Sequence, residues 1–118
     1  MADPLLRTVA LLVFALAGPA MAADLTCTFE SECLEGEACA DSGYVLTLRM
    51  GEDSATLEDD AGSVDVSALT GSDMSYVGTS AAGAHLLTVS GSGDARYSVH
   101  FMGATFSMLY LGQCSETD

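Results

Sequence analysis

DARYSVHFMGATFSMLYLGQC, residues Asp94 to Cys114, is the stretch from which the fold can be read. Ala95, Tyr97, Val99 and Phe101 alternate with Arg96, Ser98 and His100, the period of a strand with one buried face. Beyond Met102-Gly103 the alternation resumes, with Ala104, Phe106, Met108 and Tyr110 set against Thr105, Ser107 and Leu109. Folding the run back at Met-Gly predicts an antiparallel hairpin. It pairs Phe101 with Ala104, Val99 with Phe106, Tyr97 with Met108 and Ala95 with Tyr110. All the large side chains then share one face, and a slip of one residue would turn them outward.

The same pattern recurs upstream in shorter pieces. Leu25 to Glu30 alternates, and so does Tyr44 to Met50, with Tyr44, Leu46, Leu48 and Met50 on one side. Weaker runs cover Ser54 to Glu58, Ser63 to Leu69, Met74 to Ser80 and Ala84 to Ser90. Turn chemistry separates them: Gly51-Glu52-Asp53, Asp59 to Gly62, Thr70 to Asp73, Ala81 to Gly83 and Gly91 to Asp94. Residues 31–43, with their acids, two cysteines and two glycines, lack hydrophobic period and read as a loop. About eight short strands at regular spacing, with no helical stretch, predict an all-β antiparallel meander. Such a meander closes into a small barrel or folds into a two-sheet sandwich.

Residues 1–22 read as a signal peptide. Thr8 to Ala17 is an apolar run of the right length, Gly18-Pro19 breaks it, and Ala20-Met21-Ala22 offers small residues for cleavage after Ala22. The run is too short for a permanent membrane anchor. The expectation is an exported protein, periplasmic or extracellular, with residues 23–118 forming one domain.

Export gives the four cysteines a meaning. Cys27, Cys33, Cys39 and Cys114 are an even set in an oxidising compartment, so disulfides are expected. Of the three possible pairings, Cys33–Cys39 closing the acidic loop and Cys27–Cys114 joining the two ends of the domain is preferred. The second closes a loop of nearly the whole domain, for which chain entropy alone gives about 4–5 kcal/mol. No close C-x-x-C pair suggests zinc or redox chemistry, and no metal or cofactor is expected.

Asp and Glu number 17 against three Lys and Arg, for a net charge of -14. Removing the leader takes Asp3 and Arg7 and leaves only Arg49 and Arg96; there is no lysine. Nucleic acid and anionic membranes are excluded as partners, because both are bound by neutralising phosphates with Lys and Arg. A basic protein is the partner class such a charge attracts. The same acidity would also serve solubility alone in a structural or envelope protein.

Catalytic signals are few. No G-x-S-x-G elbow occurs. His100 lies on the polar face of its strand with Ser98 and Arg96, where solvation is the ordinary outcome, and His85 beside Leu86 reads as a strand-end residue. Glu52-Asp53 and Glu58-Asp59-Asp60 fit no EF-hand loop and read as solvated turns. A non-enzyme is expected, with a small hydrolase around His100 as the remote alternative. The candidate binding residues are Glu35 and Glu37 in the stapled loop, and Arg96, Ser98 and His100 on the outer face of the terminal hairpin.

Cys27, the meander, Ser92-Gly93-Asp94-Ala95-Arg96-Tyr97 and Gly112-Gln113-Cys114 resemble the periplasmic and membrane-bound inhibitors of c-type lysozyme. The resemblance implies an exported eight-stranded barrel with an early cysteine paired to a late one, acting as a binding module that inhibits a basic enzyme. It differs in an added Asp within the serine-glycine-x-arginine-tyrosine motif and in the number of strands that follow, two instead of three. The family's lysine-bearing loop has no counterpart, so no inhibitory residue is carried over. The chain also resembles small uncharacterised exported bacterial proteins that end in a strand followed by Gly-x-Cys, a likeness that implies no activity.

Overall fold

Wherever apolar residues alternate with polar ones, this chain extends, and eight such runs close on themselves. The computed structural model describes residues 24–52, 54–69 and 74–117. The expected leader over 1–22, Asp53 and the Thr70–Asp73 link lie outside them. The strands are β1 (Leu25–Leu34), β2 (Ala40–Met50), β3 (Ala55–Asp59) and β4 (Gly62–Ala68), then β5 (Met74–Thr79), β6 (Gly83–Val89), β7 (Asp94–Phe101) and β8 (Ser107–Glu116). Each pairs antiparallel with the next, and β8 returns to pair with β1, from Leu25 opposite Glu116 to Leu34 opposite Met108. The architecture is the barrel of the two expected alternatives: β8 closes on β1, so each described strand has a neighbour on both sides, although the upper parts of β2 and β4 run past their ladders to β3 and β5.

Alternation puts one face of every strand inside. Phe29, Leu46, Leu48, Leu57 and Leu87 are fully buried, with Val66, Tyr76, Val89, Ala95, Tyr97 and Val99 around them. Each of the fully buried large side chains contributes roughly 1.5–3 kcal/mol by leaving water. Both expected disulfides form. Cys27 faces Cys114 directly across the β1–β8 seam, at a Cα–Cα distance of 3.9 Å, and Cys33–Cys39 clamps the β1–β2 turn. Gly112 is required at the same seam, because a Cβ there would stand 2.0 Å from the carbonyl oxygen of Thr28.

Two expectations need correction. The β7–β8 hairpin pairs Tyr97 with Tyr110, Val99 with Met108 and Ala95 with Gly112, two residues away from the predicted register. Its connection is a wide loop over residues 102–106, with Gly103 at φ +75° and the Met102 amide bonded to the Ala82 carbonyl, instead of a tight Met-Gly turn. A two-residue shift keeps the same side chains inside, so the face prediction survives the register error. Phe106 is the exception: it is exposed and packs against Phe101, ring centroids 5.5 Å apart.

The second correction concerns residues 31–43. They belong mostly to β1 and β2, and only residues 35–39 connect the strands. A bulge between Phe29 and Ser31 breaks the alternation there and disguises the strand. Beyond the bulge, Glu32 stands opposite Tyr110 and takes the inner side.

Candidate functional site

The connections over residues 35–39, 60–61, 80–82 and 102–106 all lie at one end of the barrel, and they make an uneven rim. The β3–β4 hairpin is its low point. Its ladder to β2 runs only from Met50 opposite Ala55 to Thr47 opposite Glu58, and β4 meets β5 at Ser67 opposite Val77 and Ala68 opposite Tyr76. Above those pairs, side chains complete the wall. Tyr44 on β2 donates its hydroxyl hydrogen bond to Asp59 Oδ2 at the end of β3. Asp59 Oδ1 in turn accepts from the amides of Ala61 at 2.8 Å and Gly62 at 3.1 Å, which holds the tip of the hairpin.

A hollow opens on each side of this bridge. The outer one, about 520 Å³, lies between Val45, Thr47, Glu58 and Asp60. The inner one, about 420 Å³, is the mouth of the barrel, walled by Leu46, Leu57, Val64, Ala81 and Ala82, with Asp59, His85, Ser80 and Tyr97 presenting polar atoms.

His85 is the buried polar residue of the described core, 6% exposed. Its Nε2 lies 2.7 Å from Ser80 Oγ and its Nδ1 2.7 Å from the Tyr97 hydroxyl, so both ring nitrogens are satisfied. Burial pulls its pKa below the ordinary 6.5, and Asp59 pulls weakly the other way. Behind it the rings of Phe29, Tyr44, Tyr97 and Tyr110 pack at centroid distances of 4.7–6.1 Å. Burial, reinforced by the Asp59 charge, raises the phenol pKa of Tyr44, Tyr97 and Tyr110; Glu32 adds to the shift at Tyr110. The Tyr44 hydrogen bond, followed by the two backbone amides, holds the Asp59 carboxyl below the usual range.

The arrangement has aromatic surface, hydroxyls, a neutral imidazole and a carboxylate that none of the described basic side chains neutralises. Arg49 bonds Glu58 at 2.7 Å and Asp24 at 3.3 Å toward the opposite end. Among the described residues no three His, Cys, Asp or Glu are grouped to hold a metal ion, and no helix is long and apolar enough to cross a membrane.

The sequence candidates are partly brought together. Glu35 and Glu37 are exposed on the rim, where the Glu35 amide bonds the Ser107 carbonyl and Ser107 Oγ donates to Glu35 Oε1 at 3.3 Å. His100 lies on the outer face opposite Ser107, the residue that Glu35 bonds from the β1 side. Ser98 sits lower, between Leu86 and Leu109, and Arg96 lower still, between Thr88 and Leu111. The set therefore divides into a rim group and a side-wall group.

Sequence reasoning missed the mouth itself. His85 is a core residue, not a strand cap, and Asp59 ends β3 facing inward, not a solvated turn. The signal was there: His85 is in phase with Leu87 and Val89, and Asp59 with Leu57 and Ala55. No protein-family model, curated protein or solved structure matches this chain.

Proposed function

We propose that the chain is an exported binding module whose rim takes a cationic macromolecule, in the manner of an inhibitor of a basic enzyme such as lysozyme. One observation supports this above the others: Glu32, Glu35, Glu37, Asp59 and Asp60 lie at the stapled end of the barrel with no described basic side chain paired to them, whereas at the other end, which holds Asp24, Glu52, Asp94 and Glu116, Arg49 engages Asp24. A cluster of one sign on a stapled frame steers an oppositely charged partner and binds it with little loss of conformational freedom. The test is binding of c-type lysozyme to the oxidised protein across a salt series, with Glu35→Gln/Glu37→Gln beside the unaltered chain. Affinity that falls with salt and with the double substitution supports the module. Retention of every basic protein in proportion to its charge, or of none, leaves the acidity as a device for solubility.

A second reading, hydrolysis at Ser80, is favoured by the 2.7 Å Ser80–His85 contact inside a hollow. It requires turnover of a nitrophenyl ester that is lost in Ser80→Ala. Activity equal in the two proteins ends it.

A further inference from the structure

We propose that the mouth hollow between the β3–β4 and β5–β6 turns receives one cationic side chain, a lysine or an arginine, of the basic partner. This rests on the binding-module reading and names what the rim holds. Leu46, Leu57, Val64, Ala81 and Ala82 give the walls an apolar character suited to a methylene stem. Asp59 closes one side of the hollow and gives its head a counter-charge.

Asp59 is a carboxylate with three neutral donors and no salt bridge among the described residues. Carboxylates accept about four hydrogen bonds, so capacity remains for one more donor. The imidazole does not supply the missing charge at neutral pH, since burial pulls the His85 pKa below its ordinary 6.5 and its two ring nitrogens bond the hydroxyls of Ser80 and Tyr97, not the carboxylate. The hollow, about 420 Å³, falls in the usual range for sites that take a small group. An anion would meet the field of Asp59. A purely apolar group would cover the carboxylate without pairing it, which is costly. A long side chain with a charged tip satisfies both the walls and the acid.

The experiment titrates isotope-labelled, oxidised protein with Nα-acetyl-lysine methylamide and its arginine counterpart, with the norleucine analogue as the neutral control. The expected result is saturable movement of the Ala61, Gly62, Ala82 and His85 amide signals with a cationic probe and none with norleucine. Asp59→Asn should weaken the probe about fivefold, the worth of one partly exposed ion pair. Because Asp59 also holds the hairpin tip, Ala82→Leu serves as the second variant; it narrows the hollow from the opposite wall, leaves the Tyr44–Asp59 bond in place, and should abolish saturation. Equal binding of norleucine, unchanged affinity in both variants, or unsaturable shifts spread over Glu35, Glu37 and Glu52 would each overturn the proposal. The two readings fail separately. Glu35→Gln/Glu37→Gln tests capture of the macromolecule and should leave the probe titration intact.

Discussion

Tyr44, Tyr76, Tyr97 and Tyr110 are all the tyrosines of the chain, and burial raises the pKa of each above the ordinary 10.0. The unfolded chain therefore loses phenolic protons first as pH climbs past 10, and the stability held by the neutral phenols is lost from there upward. In an alkaline titration, tyrosinate absorbance should rise together with the loss of the β signal in circular dichroism. Tyrosinate formed ahead of unfolding would show that the rings are not held as described. On the acid side the sign reverses. His85 titrates below 6.5 in the folded protein, so its contribution is complete above that pH and declines as pH falls toward the folded value. Asp59 adds a second loss, below 3.8. Tyr44→Phe isolates the bridge: it removes the donor to Asp59 and should cost about 1–2 kcal/mol in denaturant unfolding. The Asp59 carboxyl should also return toward its ordinary range, read by carbon NMR. These contacts were hidden in the sequence because they join residues far apart in the chain, Tyr44 to Asp59 and His85 to Tyr97. Only the phase of each residue within its strand was legible.

Strands were easier to find than to bound. Alternation located all eight, since a period of two needs only local sequence, but register depends on the connection, and the 102–106 loop looked like a continuing strand. The bulged end of β1 failed for the opposite reason, its alternation being interrupted within a real strand. Pairing also predicts where the barrel is weakest. The β3–β4 hairpin has short ladders on both sides, whereas β1 and β8 are paired along nearly their full length and cross-linked. Amides of β3 and β4 should therefore exchange with solvent well before those of β1 and β8, and Tyr44→Phe should accelerate the hairpin selectively. Uniform exchange would mean that the barrel opens only as a whole. The two disulfides should differ in the same sense. Cys27→Ala/Cys114→Ala releases a cross-link between residues 87 apart and should cost about 4–5 kcal/mol, against about 2 kcal/mol for Cys33→Ser/Cys39→Ser, whose residues are six apart. Equal losses in denaturant unfolding would mean that strain or residual structure, not loop length, sets their worth.

Closure is a property of the whole molecule, and barrel and sandwich share the strand pattern; what separates them is the pairing of Leu25–Leu34 with Ser107–Glu116, elements from opposite ends of the chain. Charge is the other whole-molecule property, and it was legible from composition alone. The chain carries a net charge of -14, and the acids drawn into one small barrel repel one another more than they do along an unfolded chain, so folding works against the field. Salt shortens the reach of that repulsion, from about 30 Å at 0.01 M to about 3 Å at 1 M. Among the described residues the ion pairs that salt weakens are those of Arg49 with Asp24 and Glu58 on an exposed face, so the balance favours stabilisation. Thermal unfolding in sodium chloride should therefore shift upward, by about 4–8 °C for each kcal/mol of repulsion relieved. Most of the rise should come below about 0.2 M, where the screening length changes fastest. The shape of the curve identifies its cause. Saturation marks screening, whereas a rise that continues linearly to high salt marks exclusion of the salt from the protein surface and would contradict the repulsion argument. A midpoint that falls with salt would mean that Arg49 and its two partners outweigh the field of the remaining acids.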